Sequence, residues 1–489
     1  ARGAADAFLL SGDPAGAAAA WRLVGAVRWR EEAISEALAA FDRALELLPR
    51  PDGAPAAEIL LQLADLHASS LSRPAAGLAR AERALAIVRP LGDRRLEAAA
   101  CCTAGNVRAR ASDLDGGRAL LERGLLLARE RGDPAQAAEA CASLANVAYW
   151  SGDIAAAWRF QSEREELARR TQDPYELRHV YAWLGTLRAC RGEWDAADRL
   201  FEREEAIVGQ LESPEPLAFL RAMRAGQQHR RGRFAEAEAS YRQAIDVLRR
   251  AGSGTLVWYL AGHGQALADL GRPGEAWARA EETERVVSTL DEGSLVRGFA
   301  LAGLALLYIR LDAAAAAAAC YPRMRAHPGR FHGVLFDRAL GVAAAAAGDV
   351  EAGREALARA EALARREGLR PELAVTLLQR GVIQRATEPA AARTAIDEGR
   401  RLAANLGMGE LARRLLDVPA RGGRASDELT PRERELLREL ASGRTNRQIA
   451  AALSVSEKTV ANSLTTVFAK LGVENRAAAV AHALRHDMD

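Results

Sequence analysis

The chain has 489 residues, a formal net charge of +2 and only 5% aromatic residues. Alanine, leucine and arginine dominate it and β-branched residues are few, which predicts an all-α protein long enough for two or three domains. The near-zero net charge gives no general affinity for nucleic acids or membranes, and no uncharged apolar run reaches the roughly 18 residues that a membrane helix needs.

The chain carries no pattern typical of an enzyme or a metal site. Its first lysine is Lys458, so a phosphate-binding loop of the glycine-rich, lysine-containing type is absent from the sequence. The cysteines are odd in number and lack metal-ligand spacing, which is typical of reduced thiols in the cytoplasm. No signal sequence is visible. We therefore expect a cytoplasmic protein that is not an enzyme and needs no cofactor or metal.

From about Gly16 to Asp417 the sequence repeats with a period of about 40 residues, which indicates a solenoid of helical hairpins. Equivalent turn positions are Glu32, Ser72, Ser112, Gly152, Gly192, Gly232, Gly271, Leu311, Gly348 and Thr387. Alanine or glycine stands five residues after each turn, as a close crossing of two helices requires. These features resemble tetratricopeptide repeats, and the resemblance implies a superhelix of about ten hairpins over residues 1–417.

Such a superhelix presents a concave groove lined by the first helix of each hairpin, where peptides or partner helices bind. Polar and aromatic residues in the groove register form a candidate effector site for a peptide, a small molecule or a protein. An alternative is that most of the aromatic residues pack between repeats. The candidate residues are Asn106, Asn146, Tyr149, Trp150, His179, Phe219, Arg230, Trp258 and Gln265. Asn106 and Asn146 occupy equivalent positions in their repeats.

A second domain follows a short connection. Residues 418–426 contain a proline and two glycines, which predict a flexible linker before a domain at 427–489. There, Thr430 with Pro431 predicts the start of a helix that continues to about Ser442. Thr445 caps a shorter helix that ends near Leu453, and Ser456 caps a third that ends at Gly472.

Two helices separated only by Ser454 and Val455 are typical of a helix-turn-helix, whose second helix enters the DNA major groove. Apolar residues at helical spacing face the core of the small domain: Val460, Leu464, Val467 and Leu471. The opposite face carries Lys458, Ala461, Asn462, Thr465 and Ala469. Between Arg444 and Arg476 five cationic residues oppose two glutamates, a local excess of three positive charges (five minus two).

The motifs LTPRE, TNRQIA, SEKTV and KLGVENR occur in register here, and the segment closely resembles the LuxR-type (NarL-like) helix-turn-helix. The resemblance implies a four-helix domain that binds double-stranded DNA as a homodimer. Position 461 is commonly basic in that family and is Ala461 here, which leaves Asn462 and Thr465 as the expected base readers. The expected DNA-contacting residues are Thr445, Asn446, Arg447, Lys458, Thr459, Ala461, Asn462, Thr465 and Lys470. Dimer contacts are expected on the last helix from Ala477, Val480, Ala481 and Leu484.

Helical repeats followed by this segment resemble the large ATP-binding, MalT-like LuxR-type regulators. In those proteins a nucleotide-binding module precedes the repeats, so we expect the chain to be part of a longer protein. The sequence predicts a transcription regulator whose repeats sense a signal and control the helix-turn-helix. The alternative is an interaction scaffold whose terminal helices contact RNA polymerase or a partner regulator instead of DNA.

Overall fold

The structure is a computed structural model that describes residues 2–30, 33–209, 215–251, 254–325, 330–417, 431–453, 455–471, 473 and 476–485. The chain divides into two compact units, Ala1–Pro419 and Ala420–Asp489. Helices make up both units, and the described residues contain no strand beyond an isolated bridge between Phe331 and Leu335. The all-α prediction is confirmed. The predicted linker at 418–426 lies outside the described residues.

In the first unit, α1 (Arg2–Leu10) precedes ten helical hairpins and α22 (Gly409–Asp417) follows them, counted over the described residues. The hairpins pair α2 (Pro14–Arg30) with α3 (Ile34–Glu46), α4 (Ala54–Asp65) with α5 (Pro74–Val88), α6 (Arg94–Arg110) with α7 (Leu114–Glu130), α8 (Pro134–Trp150) with α9 (Ile154–Thr171), α10 (Pro174–Cys190) with α11 (Trp194–Val208), α12 (Glu215–Arg230) with α13 (Phe234–Arg250), α14 (Val257–Asp269) with α15 (Pro273–Val287), α16 (Leu295–Arg310) with α17 (Ala314–Met324), α18 (Phe336–Ala346) with α19 (Val350–Glu367), and α20 (Arg370–Gln384) with α21 (Pro389–Asn405).

The tight turn inside a hairpin explains the repeated turn positions. Gly152 adopts a left-handed conformation with φ +77°, which ends α8. Asp153 follows it, and its carboxylate accepts a 2.9 Å hydrogen bond from the backbone N–H of Ala156, which caps α9. A left-handed residue followed by an N-cap therefore reverses the chain within two residues. The same conformation recurs at Ser72, Ser112, Gly192, Gly232, Gly271 and Gly348.

The small residues mark close helix crossings. A Cβ atom on Gly105 would lie 2.7 Å from the carbonyl oxygen of Gly117, and a Cβ on Gly117 would lie 2.7 Å from the carbonyl oxygen of Gly105. The backbones of α6 and α7 are therefore in direct contact. Gly341 and Gly353 repeat this arrangement between α18 and α19, with corresponding distances of 2.8 and 2.9 Å.

Two turn assignments need correction, and a third cannot be compared. In the eighth hairpin the left-handed residue is Asp312, with φ +54°, so the assignment to Leu311 was one residue early. The tenth turn, at Thr387, has no left-handed residue among described positions 385–388 and closes instead through a 2.8 Å hydrogen bond from the N–H of Glu388 to the carbonyl of Gln384. Glu32, the first assignment, lies outside the described residues.

The superhelix of the first unit winds tightly enough for successive turns to touch. Trp194 Nε1 donates a 2.8 Å hydrogen bond to the carbonyl of Leu406, 212 residues later. The backbone N–H of Ile154 donates a 3.1 Å hydrogen bond to the carboxylate of Glu367, 213 residues later. Contacts at this separation span about five 40-residue repeats, so about five hairpins complete one superhelical turn. A cavity on the concave side is consequently lined by residues from hairpins far apart in the sequence, such as Asn146 and Met408.

The second unit is a bundle of four helices, α23 (Pro431–Ala441), α24 (Asn446–Leu453), α25 (Glu457–Leu471) and α26 (Arg476–Arg485). Leu437, Ile449 and Val467 are fully buried at its centre. The helices begin and end close to the residues that the capping patterns predicted, although the proposed cap Thr430 lies outside the described residues. No helix in the described part of the chain combines the length and apolarity that spanning a membrane requires.

Candidate nucleic-acid interface and ligand cavity

The two central helices of the second unit both begin with side-chain caps. At α24 the backbone N–H of Gln448 donates to Thr445 Oγ1 at 3.3 Å, and the N–H of Thr445 donates to Gln448 Oε1 at 2.8 Å, which forms a reciprocal capping box. At α25 the N–H of Thr459 donates to Ser456 Oγ at 3.0 Å. These caps fix where each helix starts, and therefore which residues lie in its first turn.

The third helix of the bundle has a buried face and an exposed face. Val460, Leu464 and Val467 are buried against the other helices, as predicted. Thr459 and Ala461, two of the candidate DNA contacts, are exposed. The side chains of Lys458, Asn462, Thr465, Ala469 and Lys470, and that of Leu471, which was predicted to face the core, lie outside the described part of the structure.

The positive charge of this unit is smaller than the sequence count suggests. Arg444 forms an ion pair with Glu439, which lies outside the range that was counted. Arg476 donates a 3.0 Å hydrogen bond to Asn446 Oδ1 and a second one to the carbonyl of Arg444. The Arg476 side chain therefore helps to hold the N-terminus of α24 in place. Arg447, in the first turn of α24, is exposed.

On the last helix, Ala479 and Ala483 are buried in the core of their own bundle. Val480, one of the predicted dimer residues, is partly buried and packs against that core. The side chains of Ala477, Ala481 and Leu484 lie outside the described part of the structure.

The first unit contains a cavity of about 300 Å³ on its concave side. Seven of the nine groove residues predicted from the repeat register line it: Asn146, Tyr149, Trp150, Phe219, Arg230, Trp258 and Gln265. Asn106 and His179 are not part of this lining. The Asn106 amide is instead engaged within the fold, because its Nδ2 donates a 2.8 Å hydrogen bond to Asp65 and its Oδ1 accepts one of 3.3 Å from Arg110.

A short segment between α17 and α18 enters the concave side. The backbone N–H of Phe331 donates a 2.9 Å hydrogen bond to the carbonyl of Trp150, and the Phe331 side chain is fully buried. The ring of the next residue, His332, packs against that of Trp258 in a tilted arrangement, with ring centroids 4.0 Å apart. The third, Gly333, accepts a hydrogen bond from the Arg230 guanidinium through its carbonyl oxygen.

Sequence reasoning missed this segment because it lies outside the helix register of the repeats. The available signal was a spacing of 37 residues from the eighth to the ninth turn position, where other spacings are 39 or 40. Further lining residues that were missed are Arg110, Trp183, Phe299, Arg310, Arg338 and Glu372.

Four arginines face the cavity, in two kinds of environment. Arg310 forms an ion pair with Asp269 at 3.2 Å, and Arg338 forms one with Glu372 at 2.9 Å. Arg110 and Arg230 form no ion pair within 4.0 Å among the residues that the structure describes. A guanidinium is a permanent cation that binds carboxylates and phosphates in bidentate fashion, so these two side chains are suited to hold an anion.

Comparison with known proteins agrees with the geometry of the second unit. The profile of bacterial regulatory proteins of the luxR family matches residues 427–483. Over 57 residues the chain is 46% identical to spore germination protein GerE of Bacillus subtilis, an alignment that covers 77% of GerE and 12% of this chain. The chain belongs to the luxR family. This result confirms the resemblance on which the LuxR-type prediction rested.

Other relatives are longer than the matched segment of this luxR-family chain. The chain is 47% identical over 73 residues to the probable transcriptional regulatory protein SgaR of Hyphomicrobium methylovorum. This alignment covers 35% of SgaR and 15% of the present chain. The chain thus spans about a third or less of the first curated relatives that it matches.

The repeat unit of this luxR-family protein has a structural counterpart. The crystal structure of a Rap protein complexed with Competence and Sporulation Factor superposes with a TM-score of 0.50 and 10% sequence identity, over 81% of this chain and 99% of the Rap chain. At this identity the similarity concerns the fold alone. It confirms the tetratricopeptide-like superhelix that the 40-residue period predicted.

Proposed function

We propose that this protein is a transcription regulator in which the LuxR-type unit binds promoter DNA as a homodimer and the repeat unit senses a signal. The observation that carries the proposal is the division of α25 into a buried face and an exposed face. Its inner face is buried at Val460, Leu464 and Val467, while Thr459 and Ala461 in its N-terminal half are exposed. An exposed helix face that directly follows a tightly turned, capped helix is the arrangement by which helix-turn-helix proteins reach the major groove.

The N-termini of the two capped helices supply phosphate contacts. The free backbone N–H groups and the positive end of the helix dipole attract anions at a helix start. Thr445 and Arg447 at α24, and Thr459 at α25, are exposed there. Asn446 supports this site through its bond to Arg476. Such contacts orient the protein on the duplex without reading sequence.

Base contacts then fall to the outward face of α25. We assign base reading to Asn462 and Thr465, and phosphate contacts to Lys458 and Lys470. The methyl group of Ala461 suits apolar contact with a thymine methyl group. An amide such as that of Asn462 suits adenine, to which it donates and accepts one hydrogen bond each.

One copy of the unit makes few phosphate contacts and would bind weakly, so pairing of two copies is part of the proposal. We assign the dimer contact to α26, through Ala477, Val480, Ala481 and Leu484. Half-sites about one helical turn of DNA apart follow from this arrangement.

We assign signal recognition to the cavity of the repeat unit. The Rap protein of similar fold was crystallised with Competence and Sporulation Factor, which supports a repeat unit of this kind as a ligand-binding element. A ligand that binds one arrangement of the repeats more tightly shifts the population toward it, and thereby changes whether the DNA-binding unit is free to dimerise.

A gel shift with genomic fragments tests the proposal. Wild type is compared with the triple variant Lys458→Ala, Asn462→Ala, Thr465→Ala, which we expect to lose at least tenfold in affinity. The matched control is Arg438→Ala on α23, which removes one exposed positive charge without changing α25 and is expected to shift affinity less than threefold. Equal retardation of DNA by the wild type and the triple variant would overturn base reading by α25.

The second candidate is a scaffold whose terminal helices contact RNA polymerase or a partner regulator. The observation that favours it is the internal use of charge in the second unit, where Arg444 pairs with Glu439 and Arg476 bonds Asn446. In that case the purified chain gives no shift with any genomic fragment at low salt but retains RNA polymerase in a pull-down.

A further inference from the structure

Two arginines that line the cavity, Arg110 and Arg230, make no direct ion pair with a residue that the structure describes. The Arg110 guanidinium lies over the Trp150 ring, 5.3 Å from its centroid, and its Nε donates a 3.3 Å hydrogen bond to the neutral amide of Asn106. Arg230 donates to the neutral carbonyl of Gly333. Among the described residues neither guanidinium has a carboxylate within 4.0 Å. Their partners are thus dipoles and a ring face rather than anions.

Removing a cation from water without an anion beside it is unfavourable. Burial lowers the pKa of the Arg110 guanidinium. The pKa of His332 is lowered to about 3, chiefly by burial and also by the positive charge of Arg230. His332 therefore stays neutral at physiological pH and adds no charge. The four arginines of the lining face two carboxylates, those of Asp269 and Glu372, which leaves an excess of two positive charges (four minus two) that an anionic group of a ligand would neutralise.

Next to these arginines is a donor without an acceptor. Trp150 is 2% exposed, lines the cavity, and its Nε1 has no hydrogen-bond partner among the described residues. A buried N–H group without an acceptor is unfavourable, because it has given up its hydrogen bond to water. A carboxylate or phosphate oxygen is the acceptor that would satisfy both an indole N–H and a guanidinium.

The aromatic side chains that line the rest of the cavity are suited to bind the aromatic ring of a ligand. Phe219 and Tyr259 meet edge to face with centroids 6.4 Å apart, and Trp258 packs against Phe299 at a tilt with centroids 5.8 Å apart. Aromatic walls favour flat apolar groups. A volume of about 300 Å³ lies at the lower end of small-molecule sites, so it fits a compact molecule rather than a long peptide.

We infer that the cavity binds a small organic anion, an aromatic ring that carries a carboxylate or phosphate group, held by Arg110, Arg230 and the indole N–H of Trp150. This inference rests on the proposed sensing role of the repeat unit and names its ligand class. In this arrangement the arginines bind the anionic group of the ligand, and the aromatic side chains contact its ring.

Isothermal titration of the full chain tests it with three probes of similar shape: naphthalene-2-carboxylate, 2-naphthyl phosphate and the neutral naphthalene-2-carboxamide. We expect at least one anion to bind at least tenfold more tightly than the amide, and the tighter anion identifies the head group. Arg230→Gln and Arg110→Gln are each expected to lose at least tenfold. Arg249→Gln, which removes an exposed arginine paired with Asp246, is the control and should bind as wild type does.

Equal affinity for the anions and the amide, or no binding of either anion, overturns the inference. If Arg230→Gln does not fold, Arg230→Lys replaces it and should retain charge-dependent binding, and Arg110→Gln gives an independent result. A gel shift on the same preparations separates this inference from the proposed function. If the wild type binds DNA but shows no preference for the anions, only the proposed ligand class is overturned. If the wild type does not bind DNA, the proposed function as a transcription regulator is overturned.

Discussion

Phe331 and Trp150 are joined by a 2.9 Å hydrogen bond from the backbone N–H of Phe331 to the carbonyl of Trp150. The bond connects the last residue of α8 to the segment between α17 and α18, and the Phe331 side chain is fully buried there. One short segment thereby ties the middle of the superhelix to its later hairpins and forms a wall of the cavity.

Phe331→Ala should therefore destabilise the repeat unit. Loss of a fully buried phenylalanine leaves a void and costs about 3–5 kcal/mol of the free energy of unfolding. Leu10→Ala is the control, because Leu10 is 90% exposed and its truncation is expected to change stability by less than about 0.5 kcal/mol. Urea unfolding followed by circular dichroism measures both. Equal stability of the two variants would mean that the segment does not support the superhelix.

Gly105→Ala tests the contact between α6 and α7. The new Cβ would lie 2.7 Å from the carbonyl oxygen of Gly117, so the helices must separate, at a cost of about 1–3 kcal/mol. Gly274→Ala, where no atom lies within 4 Å of the new Cβ, should be neutral or stabilise by up to about 1 kcal/mol. Thermal unfolding of both variants checks the difference, and a Gly105→Ala protein as stable as Gly274→Ala would contradict the close crossing.

Glu204 should make stability depend on pH. It is fully buried, both carboxylate oxygens lack a hydrogen-bond partner among the described residues, and burial raises its pKa to about 8. The folded chain thus holds a proton that the unfolded chain releases near pH 4.5, and the resulting stabilisation is lost as the pH rises from about 4.5 through 8.

The measurement compares free energies of unfolding of wild type and Glu204→Gln from pH 5 to 9. Each pKa unit corresponds to about 1.4 kcal/mol, so we expect the wild type to lose several kcal/mol relative to the variant over this range. Glu202→Gln, at an exposed position of the same helix, should follow the wild type. Parallel curves for wild type and Glu204→Gln would show that Glu204 is ionised in the fold.

Ser456→Ala should loosen the start of α25. The Ser456 hydroxyl accepts a 3.0 Å hydrogen bond from the N–H of Thr459, and losing such a cap costs about 1 kcal/mol. Hydrogen exchange in peptides covering 457–471 of the full chain should then be faster, by about fivefold if the cap controls opening. Ser456→Asn keeps a capping oxygen and should exchange as wild type does; faster exchange in both variants would assign the effect to a cause other than the cap.

The sequence predicted the elements whose residues act locally. Gly152 with Asp153 determines a hairpin turn, and Thr445 with Gln448 determines a helix start, because conformation and hydrogen bonding at these positions involve neighbours in the chain. The small residues at Gly105 and Gly117 were likewise predictable from their spacing, since a solenoid repeats the same packing in every unit.

The closure of the superhelix was not predictable in this way. Trp194 and Leu406 meet because small rotations between hairpins accumulate over about five repeats, and no local pattern encodes that sum. For the same reason the sequence predicted a concave groove lined by Asn106, whereas Asn106 bonds Asp65, and the segment after Phe331 adds His332 and Gly333 to the lining. The charge count near α25 missed Glu439 because the pairing with Arg444 crosses the counted boundary.

The salt dependence of DNA binding tests the central claim most directly. Two paired copies with about three phosphate contacts each should give a slope of about −5 when the logarithm of the association constant is plotted against that of the salt concentration. The measurement is fluorescence anisotropy of a labelled promoter fragment with the full chain. A slope near this value supports a DNA-binding dimer, and a binding curve that does not respond to salt, or no binding at the lowest salt, contradicts it.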